Sequence, residues 1–101
     1  KPGDFNAVYE RGAKTSSRSF VVFTLSNGLQ SGRYGLTTPR KLGKAHDRNR
    51  IRRRIREMIR RSNGALLPPG FDCVINPRRS ALDRPFNDLC AELGALLSTV
   101  R

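Results

Sequence analysis

Residues 47–61 read DRNRIRRRIREMIRR. Ile51, Ile55, Met58 and Ile59 recur at i, i+4, i+7 and i+8, a narrow apolar stripe of helical period. Projected on a helix, Asn49, Arg53, Arg56 and Arg60 lie opposite that stripe. Arg50, Arg54 and Arg61 flank them on one side with Glu57, and Arg52 takes the other edge. The pattern predicts a helix over residues 48–61, about 21 Å long at roughly 1.5 Å per residue. Asp47 reads as its N-cap, with a charge suited to a helix N-terminus. Asn63-Gly64 ends the helix and Pro68-Pro69-Gly70 makes a firm break.

The charge is gathered at the same place. The chain has 101 residues, 20 Lys and Arg against 8 Asp and Glu, and a formal net charge of +12. Residues 40–61 hold 11 of the bases and only two acids, Asp47 and Glu57, so +9 of the total sits in 22 residues. A segment this basic points to a polyanion, and its place on one helix points to a defined face. Arg presents a planar fork that engages phosphate oxygens bidentately. Asn49 adds an amide that can both donate and accept.

Outward from the helix, the chain reads as an α+β domain. Asp4 is a candidate cap for a short helix from Phe5 to Glu10, with Phe5, Val8 and Tyr9 on one face and Gly12 as its stop. Residues 13–17 suit a short edge strand. Residues 19–25, SFVVFTL, read as a strand with Phe20, Val22 and Thr24 on one face and Val21, Phe23 and Leu25 on the other. Residues 33–38, RYGLTT, read as a second strand running antiparallel to it, and residues 71–75, FDCVI, as a short buried one. Asp83 is a candidate cap for a last helix whose core face is Phe86, Leu89, Cys90, Leu93, Leu96, Leu97 and Val100. A small sheet with helices packed on it is the expected architecture, as one domain over residues 1–101.

The remaining inventory excludes more than it adds. No apolar run is long enough for a membrane span. The chain starts at Lys1 without a signal-peptide pattern or an initiator Met, and reads as beginning within a processed or trimmed protein. Cys73 and Cys90 are too few for a disulfide framework and read as buried, reduced thiols. His46 is the sole histidine, the acids are scattered singly, and the two cysteines have no metal-ligand spacing. Gly12-Ala13-Lys14-Thr15 ends like a phosphate-binding loop but has Ala7 where the first glycine belongs. The chain itself carries no equipment for bond cleavage. Phe5, Tyr9, Phe20 and Phe23 could stack on single-stranded bases if exposed, or be ordinary core aromatics. Of these, Phe5 and Tyr9 are the expected exposed pair.

The string KLGKAHDRNRIRRRIRE at residues 41–57 resembles the signature of the bacterial ribonuclease P protein family, K-x-G-x-A-(apolar)-x-R-N-R-x-(K/R)-R-x-x-R-E. The chain supplies Lys41, Gly43, Ala45, Arg48, Asn49, Arg50, Arg52, Arg53, Arg56 and Glu57. Further like residues fall in step at Asp4-Phe5, Val8-Tyr9, Gly12, Arg18, Phe20, Arg33, Gly35-Leu36, Asp72, Arg78 and Ala81. The resemblance implies a subunit that joins a large catalytic RNA and helps remove the 5′ leader of precursor tRNA, leaving a 5′-phosphate. It implies that the RNA, with Mg²⁺ held mainly by the RNA, performs the hydrolysis. The implied partners are the catalytic RNA and precursor tRNA, with no membrane and no small-molecule substrate, in the cytoplasm.

The implied fold is a two-layer α/β sandwich, αβββαβα, shared with the second domain of a small-subunit ribosomal protein. Its βαβ crossover is left-handed, against the usual rule. By the same resemblance, Lys41, Lys44, Arg48, Asn49, Arg50, Arg52, Arg53 and Arg56 face the catalytic RNA. Phe5, Tyr9, Val21 and Phe23 line a cleft for the leader. No catalytic residue and no metal ligand is assigned to the protein itself.

Three positions depart from the family pattern. His46 stands where an apolar residue is usual, so packing just before the helix is expected to differ. Arg54 stands at an often apolar position and is expected to widen the charged face. Asn76 replaces an apolar residue and is expected to shorten the late strand. A competing reading is a small structural ribosomal or RNA-packaging protein with the same Arg helix and no leader preference. A stand-alone nuclease is a third.

Overall fold

A computed structural model describes the backbone of residues 2–100 and the side chains of residues 6–100. Helix α1 (Pro2–Arg11) is followed by strands β1 (Ala13–Ser16), β2 (Phe20–Ser26) and β3 (Arg33–Leu36). A 3₁₀ turn at Arg40–Leu42 leads into α2 (Ala45–Arg61). Strand β4 (Phe71–Pro77), a second 3₁₀ turn (Arg79–Leu82) and α3 (Phe86–Ser98) complete the chain. The order of elements is the αβββαβα that the sequence implies.

The four strands form one sheet in the order β1-β2-β4-β3. β1 pairs antiparallel with β2, β2 antiparallel with β4, and β3 parallel with β4. β3 does run antiparallel to β2, as expected, but β4 lies between them. The reason is competition for the free edge of β2. β4 offers seven register positions, from Phe20↔Pro77 to Ser26↔Phe71, and β3 is only four residues long. β3 also stops at Leu36 instead of Thr38, although the Thr37 amide still donates to the Ile75 carbonyl at 3.1 Å.

Strand alternation sends two sets of side chains to opposite faces. Phe20 and Val22 of β2 and Cys73 and Ile75 of β4 face α2 and α3. They meet the whole stripe of Ile51, Ile55, Met58 and Ile59, together with Leu89, Leu93, Leu96 and Leu97. Full burial of each such side chain is worth about 2 kcal/mol, so this stripe, not helix propensity, holds the arginine-rich helix down. Glu92 adds a polar tie, accepting from the Ser19 amide at 2.5 Å and from the Ser17 hydroxyl. The other face carries Val21, Phe23, Val74 and Asn76, and α1 lies over part of it with Val8 buried. Gly12 lets α1 end tightly against the sheet. A Cβ there would lie 2.4 Å from the Val8 carbonyl oxygen and 2.6 Å from that of Thr24.

Several local expectations are corrected. Helix α1 begins at Pro2, so Asp4 lies inside it and is not its cap. Helix α2 begins at Ala45 after Lys44, so Asp47 sits in the first turn. Gly43, at φ 141°, makes the bend that admits the earlier start. Asp83 does not cap α3; Pro85 precedes the first helical residue and no side chain caps that end. β4 is longer than expected and runs through Asn76 to Pro77, because the Asn76 amide finds partners where it lies. Cys73 is buried, whereas Cys90 is only half-buried; both are free thiols.

Candidate nucleic-acid interface

The charged face of α2 divides into arginines held by the protein and arginines left to solvent. The side chains of Arg53 and Arg56 are exposed and make no hydrogen bond or ion pair among the described residues. Lys41 and Lys44, on the approach to the helix, are exposed in the same way. Arg50 is exposed and donates from Nε to the Leu82 carbonyl at 3.3 Å. Arg48 is half-buried, with its Nε enclosed and without a partner. Arg52 donates to the hydroxyl of Thr38 and to the amide oxygen of Asn49. The positive end of the helix dipole adds to these charges.

At the C-terminal end the charge is spent internally. Arg60 and Arg61 close on Glu57 at 2.5 and 2.7 Å. Their hydrogen bonds hold the Glu57 carboxyl down at about 2. Arg61 also lies over the Phe86 ring, 4.8 Å from its centroid. The free positive face therefore runs from the approach at Lys41 and Lys44 along α2 as far as Arg56, and stops short of its last turn.

Arg54 does not widen that face. Its guanidinium turns across to the second 3₁₀ turn and donates to the carbonyls of Ala81 at 2.9 Å and Leu82 at 2.7 Å, and to that of Arg84. Partial burial lowers its pKa, with Arg50 nearby acting the same way. An arginine serves at this often apolar position because three carbonyls converge on it. His46 is well exposed, 3.5 Å from Asp47, and packs nothing into the approach.

The second set lies on the opposite face of the sheet. Tyr9 meets Phe23 edge to face, with ring centroids 4.8 Å apart and planes at 72°. Lys14 Nζ stands 5.9 Å from the Phe23 centroid. Val21 and Phe23 are half-buried and Tyr9 is 37% exposed, so the group is open enough to offer ring and aliphatic surface. Phe20 belongs instead to the core, with no exposure at all. The Phe5 side chain lies outside the described residues.

Asn76 joins these parts. The Tyr9 hydroxyl donates to its Oδ1 at 2.9 Å, and the Thr37 hydroxyl donates to the same oxygen. Thr38, the next residue, receives Arg52. The two candidate sets thus meet around the end of β3. Sequence reasoning missed Lys14, Thr37 and Arg78 on this side, and took Asn76 only as a strand breaker. The signal for Lys14 is its register opposite Phe23.

Among the described residues no group of three or more His, Cys, Asp or Glu side chains stands together as a metal site. Burial pushes the Cys73 thiol up to about 11, which leaves it protonated and unreactive at neutral pH. No helix of the described residues is long and apolar enough to cross a membrane.

A family model described as Ribonuclease P matches residues 1–101. The ribonuclease P protein component of Thermotoga petrophila is 41% identical over 76 residues, which cover 75% of this chain and 64% of that protein. The corresponding protein of Clostridioides difficile is 36% identical over 89 residues, 88% of this chain and 78% of that one. The solved RNase P protein from Thermotoga maritima superposes with a TM-score of 0.88 at 33% identity, covering 97% of this chain and 92% of that structure. A Staphylococcus aureus RNase P protein structure gives 0.83 at 30% identity, covering 100% and 92%. The match thus spans less than two thirds of the Thermotoga petrophila protein's own length.

Proposed function

This chain belongs to the ribonuclease P protein family, whose model matches it over residues 1–101, and from that premise we propose that it is the protein subunit of a ribonuclease P. It binds the catalytic RNA through Lys41, Lys44, Arg48, Asn49, Arg50, Arg52, Arg53 and Arg56. It holds the single-stranded 5′ leader of precursor tRNA against Tyr9, Val21 and Phe23, with Phe5 as a further lining residue. The holoenzyme cleaves the leader endonucleolytically and leaves a 5′-phosphate.

The observation that carries this reading is the state of Arg53 and Arg56. Two exposed guanidinium groups without a protein partner stand on a helix firmly anchored by its other face. Phosphates of a folded RNA are the partner that such a surface fits. The RNA, with Mg²⁺ that it holds itself, supplies the hydrolytic chemistry. The protein's own contribution is positive charge beside the RNA, which lowers the repulsion between phosphates, and a grip on the leader. Arg54 and Arg52 set that surface by fixing α2 to the second 3₁₀ turn and to the end of β3.

The experiment is cleavage of a precursor tRNA at low Mg²⁺ by the RNA alone and by the RNA with this protein. Faster cleavage on adding the protein is expected, and no improvement would overturn the reading.

A further inference from the structure

Arg52, at the edge of the charged face of α2, joins two oxygens that come from different parts of the fold. One terminal nitrogen donates to the Thr38 hydroxyl and the other to Asn49 Oδ1. Asn49 and Arg52 stand at i and i+3 on the helix, the spacing at which side chains are neighbours. Arginine has donors only, so the oxygen end of the Asn49 amide is the end that must turn toward it. The nitrogen end then points away. Asn49 is exposed, and its Nδ2 makes no hydrogen bond among the described residues.

A surface asparagine can ordinarily offer either end of its amide to a ligand. This one offers its N–H groups. A guanidinium already sits on its oxygen and repels a cation that would seek the same atom. The same guanidinium polarises the amide and strengthens its N–H donors. Asn49 also shares a stripe with Arg53 and Arg56, at i, i+4 and i+7, so its donors point the same way as the two free guanidinium groups. What holds Arg52 in turn comes from the sheet. The Thr37 amide donates to the Ile75 carbonyl at 3.1 Å, and Pro39, at φ −66°, opens the first 3₁₀ turn. Thr38 is half-buried between them, and its hydroxyl is an acceptor fixed from both sides.

We propose that Thr38 is a positioning residue for RNA binding: through Arg52 it holds the Asn49 amide with its N–H groups outward, as donors to the backbone oxygens of the catalytic RNA. Thr38 itself does not touch the RNA. The inference rests on the reading of the catalytic RNA as the partner of α2, and it adds a relay that runs from the sheet through Thr38 and Arg52 to Asn49.

The test is equilibrium binding of the full chain to the catalytic RNA over a salt series. Thr38→Val keeps the branched shape and removes the acceptor, and it is expected to weaken binding about fivefold. Thr38→Ser restores a hydroxyl and is expected to bind like the unaltered protein. The slope of log affinity against log salt should stay the same in both, because no charge is lost. In an Asn49→Ala background, Thr38→Val is expected to cost nothing further. Arg52→Lys keeps the charge but lacks the planar fork, so it should repeat the loss at an unchanged slope, and it reads the relay from the helix side even if Thr38→Val folds poorly. Undiminished affinity in Thr38→Val and Arg52→Lys would overturn the proposal. So would a Thr38→Val loss that persists in full in the Asn49→Ala background, which would detach Thr38 from the Asn49 amide. A flattened slope in Thr38→Val would overturn it too, by showing that a phosphate contact had gone. Failure of the unaltered protein to bind the catalytic RNA would instead defeat the reading on which the inference rests.

Discussion

The ring of Tyr9 stands edge-on to Phe23 at 72°, and its hydroxyl is fixed on Asn76. A half-exposed aromatic held at both ends keeps its free surface in one orientation. Stacking of a base on such a surface is worth roughly 1–3 kcal/mol. Tyr9→Ala is therefore expected to cut the holoenzyme's preference for precursor over mature tRNA by about tenfold. Affinity for mature tRNA should not change. Equilibrium binding of the two tRNAs checks this, and a loss confined to mature tRNA would contradict the cleft assignment.

Arg53 and Arg56 have no task inside the protein. Replacing both by Ala is expected to change stability by less than about 0.5 kcal/mol. RNA binding should respond strongly. Each phosphate contact contributes about 0.7–0.9 to the slope of log affinity against log salt. The double variant should flatten that slope by about 1.5, read from titrations of catalytic RNA over a salt series.

Arg54 should behave in the opposite way, although it is the next residue in the same basic run. Arg54→Ala removes donors from the Ala81, Leu82 and Arg84 carbonyls. Hydrogen bonds from a charged donor are worth about 1.5–3 kcal/mol where they are not replaced by water. A loss of about 2 kcal/mol in denaturant unfolding is expected, with little change in the salt slope. A flattened slope with unchanged stability would place Arg54 on the RNA face after all.

Asp72 gives the fold an acid limit. Its carboxylate accepts from Arg33 Nε and from an Arg33 terminal nitrogen, both at 2.8 Å, and from Asn27 Nδ2 at 2.9 Å. The Arg33 bonds hold its pKa below the ordinary 3.8. A carboxylate with a depressed folded pKa contributes its full stabilisation above the unfolded value and loses it as pH falls through the folded one. The pair is partly open to solvent, so the contribution at neutral pH is about 1 kcal/mol. Asp72→Asn should be less stable than the unaltered protein at pH 7, and the gap should close below about pH 4. Unfolding midpoints measured from pH 7 to pH 2 check it.

What could be read from the residues alone is what local period and local chemistry determine. The stripe from Ile51 to Ile59 named its own helix and its buried face, and all four of its members are in the core. The alternation in β2 separated Phe20 and Val22 from Val21 and Phe23 but left open which face is the core, because both are largely apolar; the packing of α2 and α3 on Phe20 and Val22 decides it. Strand order was not legible, because it is settled by which distant segment wins the edge of β2. The role of Arg54 was hidden for a similar reason: its three acceptors lie 27 to 30 residues further along. Asp47 and Asp83 looked like caps by type, but Gly43 and Pro85 set where those helices start. Asn76 read as a flaw in a strand until its partners from α1 and the end of β3 were in place.

β4 is the last strand to be synthesised, and β3 has no other neighbour in the sheet. A nascent chain that has reached Arg61 already carries all the arginines of α2, yet Cys73 and Ile75, which that helix packs against, do not exist. The defining pairs are far apart in sequence, as with Val22 and Ile75, so the sheet closes late and comparatively slowly. Until then the stripe of Ile51, Ile55, Met58 and Ile59 has no sheet to bury against. The arginine helix thus gains a fixed orientation only when residues 71–77 and then α3, with Leu89, Leu93, Leu96 and Leu97, have been made, so a chain truncated before them would carry the charge of α2 without the face that orders it.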